Sequence, residues 1–213
     1  MDKYRETFTT WNNIAARYED KFMDLDLYDK TYDIICNSLD KEQTKILEVG
    51  CGPGNITKYI LSKRPDFDVF GIDIAPNMIA PARKNNPTAA FEVMDIRQIH
   101  SLKSTYDGII CGFCLPYLSA ADVAKLIEDC YKLLNENGLI YLSFVEGDPA
   151  KSGFQTGSTG ERSYFYYHRL SDLRAQLESC KFGNINVIEV DYKKSDSEME
   201  RHTILTARKM AAL

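Results

Sequence analysis

The chain has 213 residues and lacks any apolar run long enough to cross a membrane. A spanning helix needs about 20 apolar residues, and the longest mostly apolar stretch, GIICGFCLPYL, is far shorter. The N-terminal sequence MDKYRETFTTWNN is polar and mixed in charge, so it also lacks the apolar segment of a secretory signal. We therefore expect a cytoplasmic protein with no membrane partner.

The sequence also lacks a surplus of positive charge. Lys and Arg together number 26 against 31 Asp and Glu, which gives a formal net charge of −5. Proteins that bind a nucleic-acid backbone use clustered Lys and Arg to neutralise its phosphates. We therefore expect no nucleic-acid partner.

Histidine is scarce and shows no metal-ligand spacing. His100, His168 and His202 are far apart, and the C-x-x-C pair Cys111 and Cys114 has no second pair to complete a four-ligand zinc site. A thioredoxin-like redox role is the alternative for that pair. The six cysteines are scattered, which is typical of reduced thiols in a chain without an export signal. We expect no metal site and no disulfide framework.

Short β-rich apolar runs alternate with stretches of helical length from Lys45 onward. The runs are KILEVGC, DVFGIDI, AAFEVMDI, YDGIICGF and GLIYLSFV, and the helical stretches between them are 55–63, 76–85 and 119–134. This alternation predicts βαβ units and a parallel sheet, whose strands read as continuous apolar runs because both faces are covered. The expected fold class is α/β, a Rossmann-like doubly wound sheet.

The remaining segments fit one domain over residues 1–213. Apolar residues three or four apart predict a helical N-terminal lead-in over 1–40, the alternating core spans 45–147, and 171–213 holds a helix and a hairpin. The polar stretch 194–201 is too short for a crossover helix, so the last strand should run antiparallel.

An irregular stretch rich in Gly, Ser and Thr, Gly147 to Gly160, leads into the aromatic cluster YFYYH. Connections of this length in a compact domain are commonly functional lids. The segment 148–170 is therefore a candidate lid or substrate segment that presents aromatic rings to a small ligand. Alternatively, its aromatic residues form a short strand that packs on the core.

The sequence ILEVGCGPGN joins a strand to a helix through Gly50, Gly52 and Gly54. Such a turn lets backbone amides approach a ligand without obstruction from Cβ atoms. Asp73 ends the second strand about 20 residues later, where an acidic side chain accepts hydrogen bonds from ribose hydroxyls. Its alternative role is to cap the next helix. A dinucleotide fingerprint would place a third glycine where Asn55 stands, so a pyrophosphate ligand is disfavoured.

The set EVGCGPGN, GIDIAPNM, VMDI, YDGIICGF and LLNENGLIYLSF, in this order and at these intervals, resembles the class I S-adenosylmethionine-dependent methyltransferases. The resemblance is strong over Ile46 to Phe144 and looser over the whole chain. It implies a seven-stranded sheet, mostly parallel with the last strand antiparallel. It also implies S-adenosyl-L-methionine as cofactor, with S-adenosyl-L-homocysteine as product.

The resemblance further implies which residues hold the methionyl end of the cofactor. These are Glu48, which would face the ammonium group, and the turn residues Gly50, Cys51, Gly52 and Gly54.

The nucleoside end is assigned in the same way to residues that follow the second and third strands. The resemblance implies that Asp73 holds the ribose and that Ile74 and Met78 flank the adenine. Asp95 and Ile96 would face the adenine edge and its exocyclic amine.

Three more residues are implied around the sulfonium. Cys111 and Phe113, at the end of the fourth strand, would line its pocket. Tyr18 in the helical lead-in would close over the cofactor, or else it is an aromatic core residue on a helix stripe.

The segment CGFCLPY also narrows the acceptor. Enzymes of this family that methylate nucleic-acid amines resemble N-P-P-Y here, and Cys114 and Leu115 replace its first two positions. No carboxylate or amide ligand for a metal stands between Gly108 and Ser119, as it would in catechol-type enzymes.

We expect metal-free in-line displacement onto an O or N nucleophile of a small molecule, with positioning and water exclusion supplying most of the acceleration. His168 is the candidate base, with a surface position beside a strand as its alternative.

Two other functions stay open from the residues alone. One is an NAD-type oxidoreductase on a similar sheet, and the other is a non-catalytic S-adenosylmethionine-binding module that lacks an acceptor site.

Overall fold

The computed structural model describes residues 2–157, 160–194 and 199–211. The helical lead-in forms three helices, α1 (Lys3–Asn13), α2 (Ala15–Phe22) and α3 (Asp29–Ser38). Asp2 caps α1 by accepting a hydrogen bond from the amide of Tyr4, which satisfies a donor that the first helical turn leaves unpaired.

The alternating core has the predicted elements. Its strands are β1 (Lys45–Val49), β2 (Asp68–Asp73), β3 (Ala90–Val93), β4 (Tyr106–Cys111) and β5 (Leu134–Val145). Its helices are α4 (Asn55–Lys63), α5 (Pro76–Asn85) and α6 (Ala120–Leu133). Short 3-10 turns at Ile96–Ser101 and Leu115–Tyr117 follow β3 and β4. Ser119 caps α6 by accepting a hydrogen bond from the amide of Asp122, and Pro76 is the first residue of α5, a position that needs no amide donor.

The C-terminal part contains β6 (Gly153–Thr156), β7 (Arg162–Phe165), α7 (Leu170–Ser179), β8 (Phe182–Lys193) and β9 (Met199–Lys209). The main sheet has the order β3-β2-β1-β4-β5-β9-β8. Strand β9 runs antiparallel to its two neighbours, β5 and β8. The pairs β3–β2, β2–β1, β1–β4 and β4–β5 are parallel. The predicted seven-stranded Rossmann-like fold with an antiparallel last strand is confirmed.

Both faces of the sheet are covered, which explains the continuous apolar runs. Along β1, Leu47 and Val49 pack in the cluster that includes α6 and α7, whereas Ile46 packs in the cluster that includes α3 and α4. Each fully buried side chain of this size stabilises the fold by about 1.5–3 kcal/mol. All six cysteines are unpaired, in agreement with reduced thiols. No helix in the described ranges is long and apolar enough to span a membrane.

The stretch expected to be irregular contains an antiparallel hairpin. Phe154 of β6 pairs with Tyr164 of β7, and their rings meet edge to face at 5.2 Å. The hairpin is tied to α1, since Thr10 donates to the carbonyl of Arg162 and Thr7 accepts from the amide of Tyr164. Ser158 and Thr159 lie outside the described residues. The short-strand alternative therefore agrees with the structure over Arg162–Phe165.

Candidate active site

A cavity of about 530 Å³ lies where β1, β2 and β4 end, beneath helices α1 and α2. Open parallel sheets bind ligands at this edge because the connections on either side of a topological switch point diverge there. The sheet order places that point between β1 and β4. The cavity therefore lies where this fold is expected to bind a ligand.

The glycine turn forms one wall of the cavity. Gly50, Gly52 and Gly54 have φ values of 71°, 52° and 82°, a left-handed conformation that costs glycine little. At Gly54 a Cβ would lie 2.4 Å from Nδ2 of Asn86, so no larger residue fits without displacing that amide. At Gly52 the nearest atom to such a Cβ is Cε1 of Tyr18, at 3.5 Å, so the Tyr18 ring lies against the turn.

Glu48 is a buried acid that faces the cavity from β1. Thr57 donates a hydrogen bond to its Oε2, whereas its Oε1 is buried and receives no hydrogen bond from the described residues. Burial raises the pKa of Glu48 to about 8, although the Thr57 hydrogen bond acts in the opposite direction. A buried oxygen without a partner is suited to a cationic ligand group.

Asp73 ends β2 beside the turn. Its Oδ2 accepts a hydrogen bond from the amide of Gly52 at 3.0 Å, and its Oδ1 accepts one from the amide of Ala75 at 2.9 Å. Burial raises the pKa of Asp73, and the two backbone hydrogen bonds oppose that rise. The carboxylate lines the cavity and keeps lone pairs for further donors, so it can act both as a cap and as a ligand group.

An apolar slot continues past Asp73. Ile74 and Met78 line it, and Asp95 and Ile96 follow at the end of β3. Burial of Asp95 disfavours its charge, but hydrogen bonds from Arg97 outweigh that effect and hold its pKa below the usual value. The guanidinium of Arg97 forms the ion pair with Asp95 at 2.5 Å.

Comparison with known proteins finds a methyltransferase domain in the chain. Residues 46–138 match the family model described as a methyltransferase domain. The chain is 25% identical to tRNA N(3)-methylcytidine methyltransferase of Schizosaccharomyces pombe, across 94% of this chain and 92% of that protein. It is 32% identical to malonyl-[acyl-carrier protein] O-methyltransferase of Acetivibrio thermocellus, across 48% of this chain and 36% of that protein. The latter match thus spans about a third of the relative's length.

Solved structures share the whole fold. The DhpI–SAH complex has a TM-score of 0.76 at 14% identity, covering 99% of this chain and 98% of that one. The 1,6-didemethyltoxoflavin-N1-methyltransferase of Burkholderia thailandensis has a TM-score of 0.74 at 17% identity, covering 97% and 88%. Over residues 46–138 the chain is similar to methyltransferases, and its fold is that of the DhpI–SAH complex. The predicted enzyme class, an S-adenosylmethionine-dependent methyltransferase, and the predicted cofactor are confirmed.

The walls of this methyltransferase cavity include most of the residues predicted to bind the cofactor. All of them except Gly54 and Cys111 line it. Cys111 is fully buried within β4, and Gly54 lies at the start of α4, where its carbonyl accepts a hydrogen bond from Asn86. Phe113 turns toward the cavity with a φ of 53°, and its amide donates to Oγ of Ser143 at 2.8 Å.

His168, the candidate base, does not line the cavity. Its side chain is buried rather than at the surface, and its Nε2 lies 3.0 Å from the carbonyl oxygen of Leu115. Burial lowers the pKa of His168. This contact between the imidazole and the Leu115 carbonyl holds the 115–117 turn near the end of β5. His168 is therefore packed in the core and does not reach the cavity in which we expect the acceptor.

The opposite end of the cavity has walls that the sequence motifs did not indicate. Its aromatic and polar lining comes from the lead-in helices, the 115–117 turn and the C-terminal hairpin: Tyr28, Tyr32, Tyr117, Tyr192, Glu200 and His202. Phe165 of the YFYYH cluster, which the sequence did indicate, also lines the cavity from the end of β7. One signal existed in the sequence, because Glu200 and His202 are two positions apart and so share one face of a strand. Which face meets the cavity depends on sheet order, which local spacing does not encode.

Proposed function

We propose that this methyltransferase transfers the methyl group of S-adenosylmethionine to a small, partly aromatic or apolar molecule through an O or N nucleophile. The observation that carries the proposal is the continuity of the cavity. One end has the glycine turn, Glu48 and Asp73, and the other end is walled by aromatic rings. A cofactor and a small acceptor can therefore lie in one continuous cavity.

At the first end, each polar group matches a part of the cofactor. The free Oε1 of Glu48 suits the ammonium group, and the carboxylate of Asp73 suits the two ribose hydroxyls. The slot between Ile74 and Met78 suits the adenine ring, with Asp95 at its edge. The ring of Tyr18 covers the turn, and Trp11 meets it edge to face at 5.5 Å.

S-adenosylmethionine, when bound, supplies an electrophilic methyl group on a sulfonium. The chain then has to hold the acceptor in line with that methyl group and to exclude water, which together can supply most of the rate acceleration. Phe113 and Tyr117 follow β4 in the chain, and both line the cavity. Their rings are the groups we assign to positioning the acceptor.

The lining also favours an uncharged acceptor. Arg5 and Arg97 are the cationic groups that the described residues contribute to the cavity, and Arg97 is already paired with Asp95. The aromatic end instead contains hydroxyls, one imidazole and the carboxylate of Glu200. Ring faces bind flat apolar molecules, and these polar groups can orient a hydroxyl or an amine.

A small molecule is favoured over RNA by the charge of the chain. The net charge of −5 leaves no excess of cations for phosphates, although one relative that aligns along most of the chain is a tRNA methyltransferase. The malonyl-[acyl-carrier protein] and didemethyltoxoflavin methyltransferases are relatives and fold neighbours named for non-nucleic-acid acceptors.

The test combines binding with turnover. Calorimetry should show S-adenosylhomocysteine binding at micromolar affinity or better, and no binding of NAD. The purified protein with methyl-labelled S-adenosylmethionine should then label one or more members of a panel of phenols, aromatic amines and heteroaromatics, and leave bulk tRNA unlabelled. Labelling of tRNA alone would reject the small-molecule assignment, and cofactor binding without any labelled product would favour the non-catalytic module.

A further inference from the structure

Three polar side chains form a hydrogen-bonded chain at the aromatic end of the cavity. The hydroxyl of Tyr28 lies 2.6 Å from Nδ1 of His202, and Nε2 of His202 lies 3.2 Å from Oε2 of Glu200. All three residues line the cavity. Tyr28 and His202 are buried, so solvent does not compete freely for these contacts.

The antiparallel last strand brings this chain to the active edge of the sheet. Val145, the last residue of β5, pairs with His202 near the beginning of β9. Because β9 runs opposite to β5, its first residues lie at the edge where the parallel strands end. Glu200 and His202 project from the same face of β9, and Tyr28 meets them from the position just before α3.

The carboxylate of Glu200 determines the tautomer of the imidazole. A lone pair on Nε2 facing a carboxylate would be repulsive. Nε2 therefore carries the proton and donates a hydrogen bond to Glu200. The neutral ring therefore presents a lone pair at Nδ1, which accepts from the Tyr28 hydroxyl. The oxygen of Tyr28 keeps its own lone pairs for a donor from the cavity.

Aromatic rings hold the imidazole in place. Tyr192 stacks on it at 4.8 Å with an interplanar angle of 14°, and Phe113 lies 4.8 Å away in a tilted arrangement. Tyr28 also contacts Phe113, at 5.0 Å between ring centroids. Phe113 follows β4, the strand beside β1, and it lines the cavity together with the glycine turn and the Tyr28–His202 pair.

We propose that Tyr28, His202 and Glu200 form a proton relay for a hydroxyl acceptor, an inference that rests on the proposed methyl transfer. As the acceptor oxygen bonds to the methyl carbon and the carbon–sulfur bond breaks, the hydroxyl proton passes to the Tyr28 oxygen. The Tyr28 proton passes at the same time to Nδ1 of His202. The positive charge of the sulfonium thus reappears on the imidazolium, which the Glu200 carboxylate stabilises. Tyr28 is the catalytic residue, and His202 and Glu200 are positioning residues.

The charged and titratable surroundings agree with this direction of proton flow. Glu200 faces His202 on β9, and the hydrogen bond from His202 lowers the pKa of Glu200, with Lys194 at 3.5 Å acting in the same sense. From the other elements, Tyr192 of β8 and the phenols of Tyr141 and Tyr18 surround Tyr28. Burial raises the pKa of Tyr28, so this phenol needs a neighbouring base to act near neutral pH.

The experiment compares hydroxyl and amino compounds built on the same ring: phenol with aniline, 1-naphthol with 1-naphthylamine, and 8-hydroxyquinoline with 8-aminoquinoline. We expect the hydroxyl member of at least one pair to be methylated. Tyr28→Phe should then lower kcat by about 100-fold, the usual size of a general-base effect, while S-adenosylhomocysteine binds within about twofold of the parent protein. Glu200→Gln should lower kcat less and shift the acid limb of the pH–rate profile.

Tyr141→Phe is the matched control. Tyr141 is buried in the same apolar cluster as Tyr28 and its hydroxyl contacts Thr31 at 2.9 Å, but it does not line the cavity. If Tyr28→Phe and Tyr141→Phe have the same kcat and the same pH profile, the relay is rejected. Methylation of amines alone, or of none of the hydroxyl compounds, also rejects it. Failure of the parent protein to bind S-adenosylhomocysteine would instead reject the cofactor assignments of the proposed function.

A second measurement does not depend on turnover. The chain has three histidines, so long-range proton–nitrogen NMR spectra can be assigned with single His substitutions. We expect His202 to show a protonated Nε2 and a hydrogen-bonded, unprotonated Nδ1 whose shift changes in Tyr28→Phe and not in Tyr141→Phe. A protonated Nδ1 in the neutral ring would overturn the relay.

Discussion

The carboxylate of Asp73 accepts a hydrogen bond from the amide of Gly52 and thereby joins the end of β2 to the turn that follows β1. The same side chain accepts from the amide of Ala75 before α5. The sequence left two roles for this residue, a ribose ligand and a helix cap. The contacts allow both roles in one carboxylate, so only ligand binding can separate them.

Asp73→Ala should weaken S-adenosylhomocysteine binding by about 2–3 kcal/mol, because two charge-assisted hydrogen bonds to the ribose would be lost. Calorimetry gives the affinity, and thermal unfolding in the absence of ligand reports the separate effect on the turn. Asp68→Ala, at the exposed start of the same strand, is the control and should leave affinity unchanged. An unchanged affinity in Asp73→Ala would mean that the residue acts as a cap alone.

Glu48 should couple cofactor binding to pH. Its folded-state pKa is raised from 4.5 to about 8 by burial, so the stability that this group contributes is present at low pH and is lost as the pH rises toward 8. A bound ammonium group favours the ionised carboxylate, so the affinity should fall as the pH drops below 8, by up to about tenfold per unit.

Calorimetry in buffers of different ionisation enthalpy checks this coupling. Near pH 7 the binding of S-adenosylhomocysteine should release close to one proton, and Glu48→Gln should abolish that release. Proton release of equal size in the Gln variant would assign the linkage to another group.

Gly54→Ala should lower the free energy of unfolding by about 1–3 kcal/mol, since the new Cβ meets Asn86 in a backbone conformation that disfavours side chains. Chemical denaturation measures the change. Gly153→Ala in β6 provides the comparison, because a Cβ added there would meet nothing within 4 Å, and this variant should unfold like the parent protein. Equal stability of the two variants would show that the α4 N-terminus adapts freely.

Methyl transfer should not require a metal. No cluster of three or more His, Cys, Asp or Glu residues suitable for a metal ion occurs within 2–157, 160–194 and 199–211. We predict that activity on whichever panel compound is methylated persists in EDTA after dialysis. Loss of activity that magnesium or zinc restores would contradict a metal-free displacement.

The hairpin of β6 and β7 offers a test of closure over the acceptor. Glu6 of α1 pairs with Arg162 of β7, and Phe165 at the end of β7 lines the cavity. Trypsin should cut at Lys151 or Arg162 in the free protein, more slowly with S-adenosylhomocysteine and a methylated phenol present. Cleavage at exposed Lys103 serves as the internal reference. Equal slowing at all three sites, or none, would argue against a lid.

Local patterns in the sequence were enough to predict the core elements, and the family resemblance pointed to residues that line one end of the cavity. Helices α4 and α5 begin and end as predicted, because glycine, proline and apolar periodicity act over a few residues. The glycine turn and Asp73 lie in consecutive βα connections, so adjacent parallel strands bring them together. Apart from Trp11 and Tyr18 of the lead-in helices, the residues assigned to that half of the site belong to contiguous motifs.

The acceptor end depended on the tertiary structure. Tyr28 and His202 are 174 positions apart, and they meet because β9 inserts antiparallel between β5 and β8 and brings its first residues to the edge of the sheet where the cavity opens. The sequence instead pointed to His168, whose aromatic neighbours resemble a binding cluster but whose ring is buried against Leu115. Strand alternation determines which residues share a face, whereas only the order and direction of strands in the assembled sheet decide what that face meets.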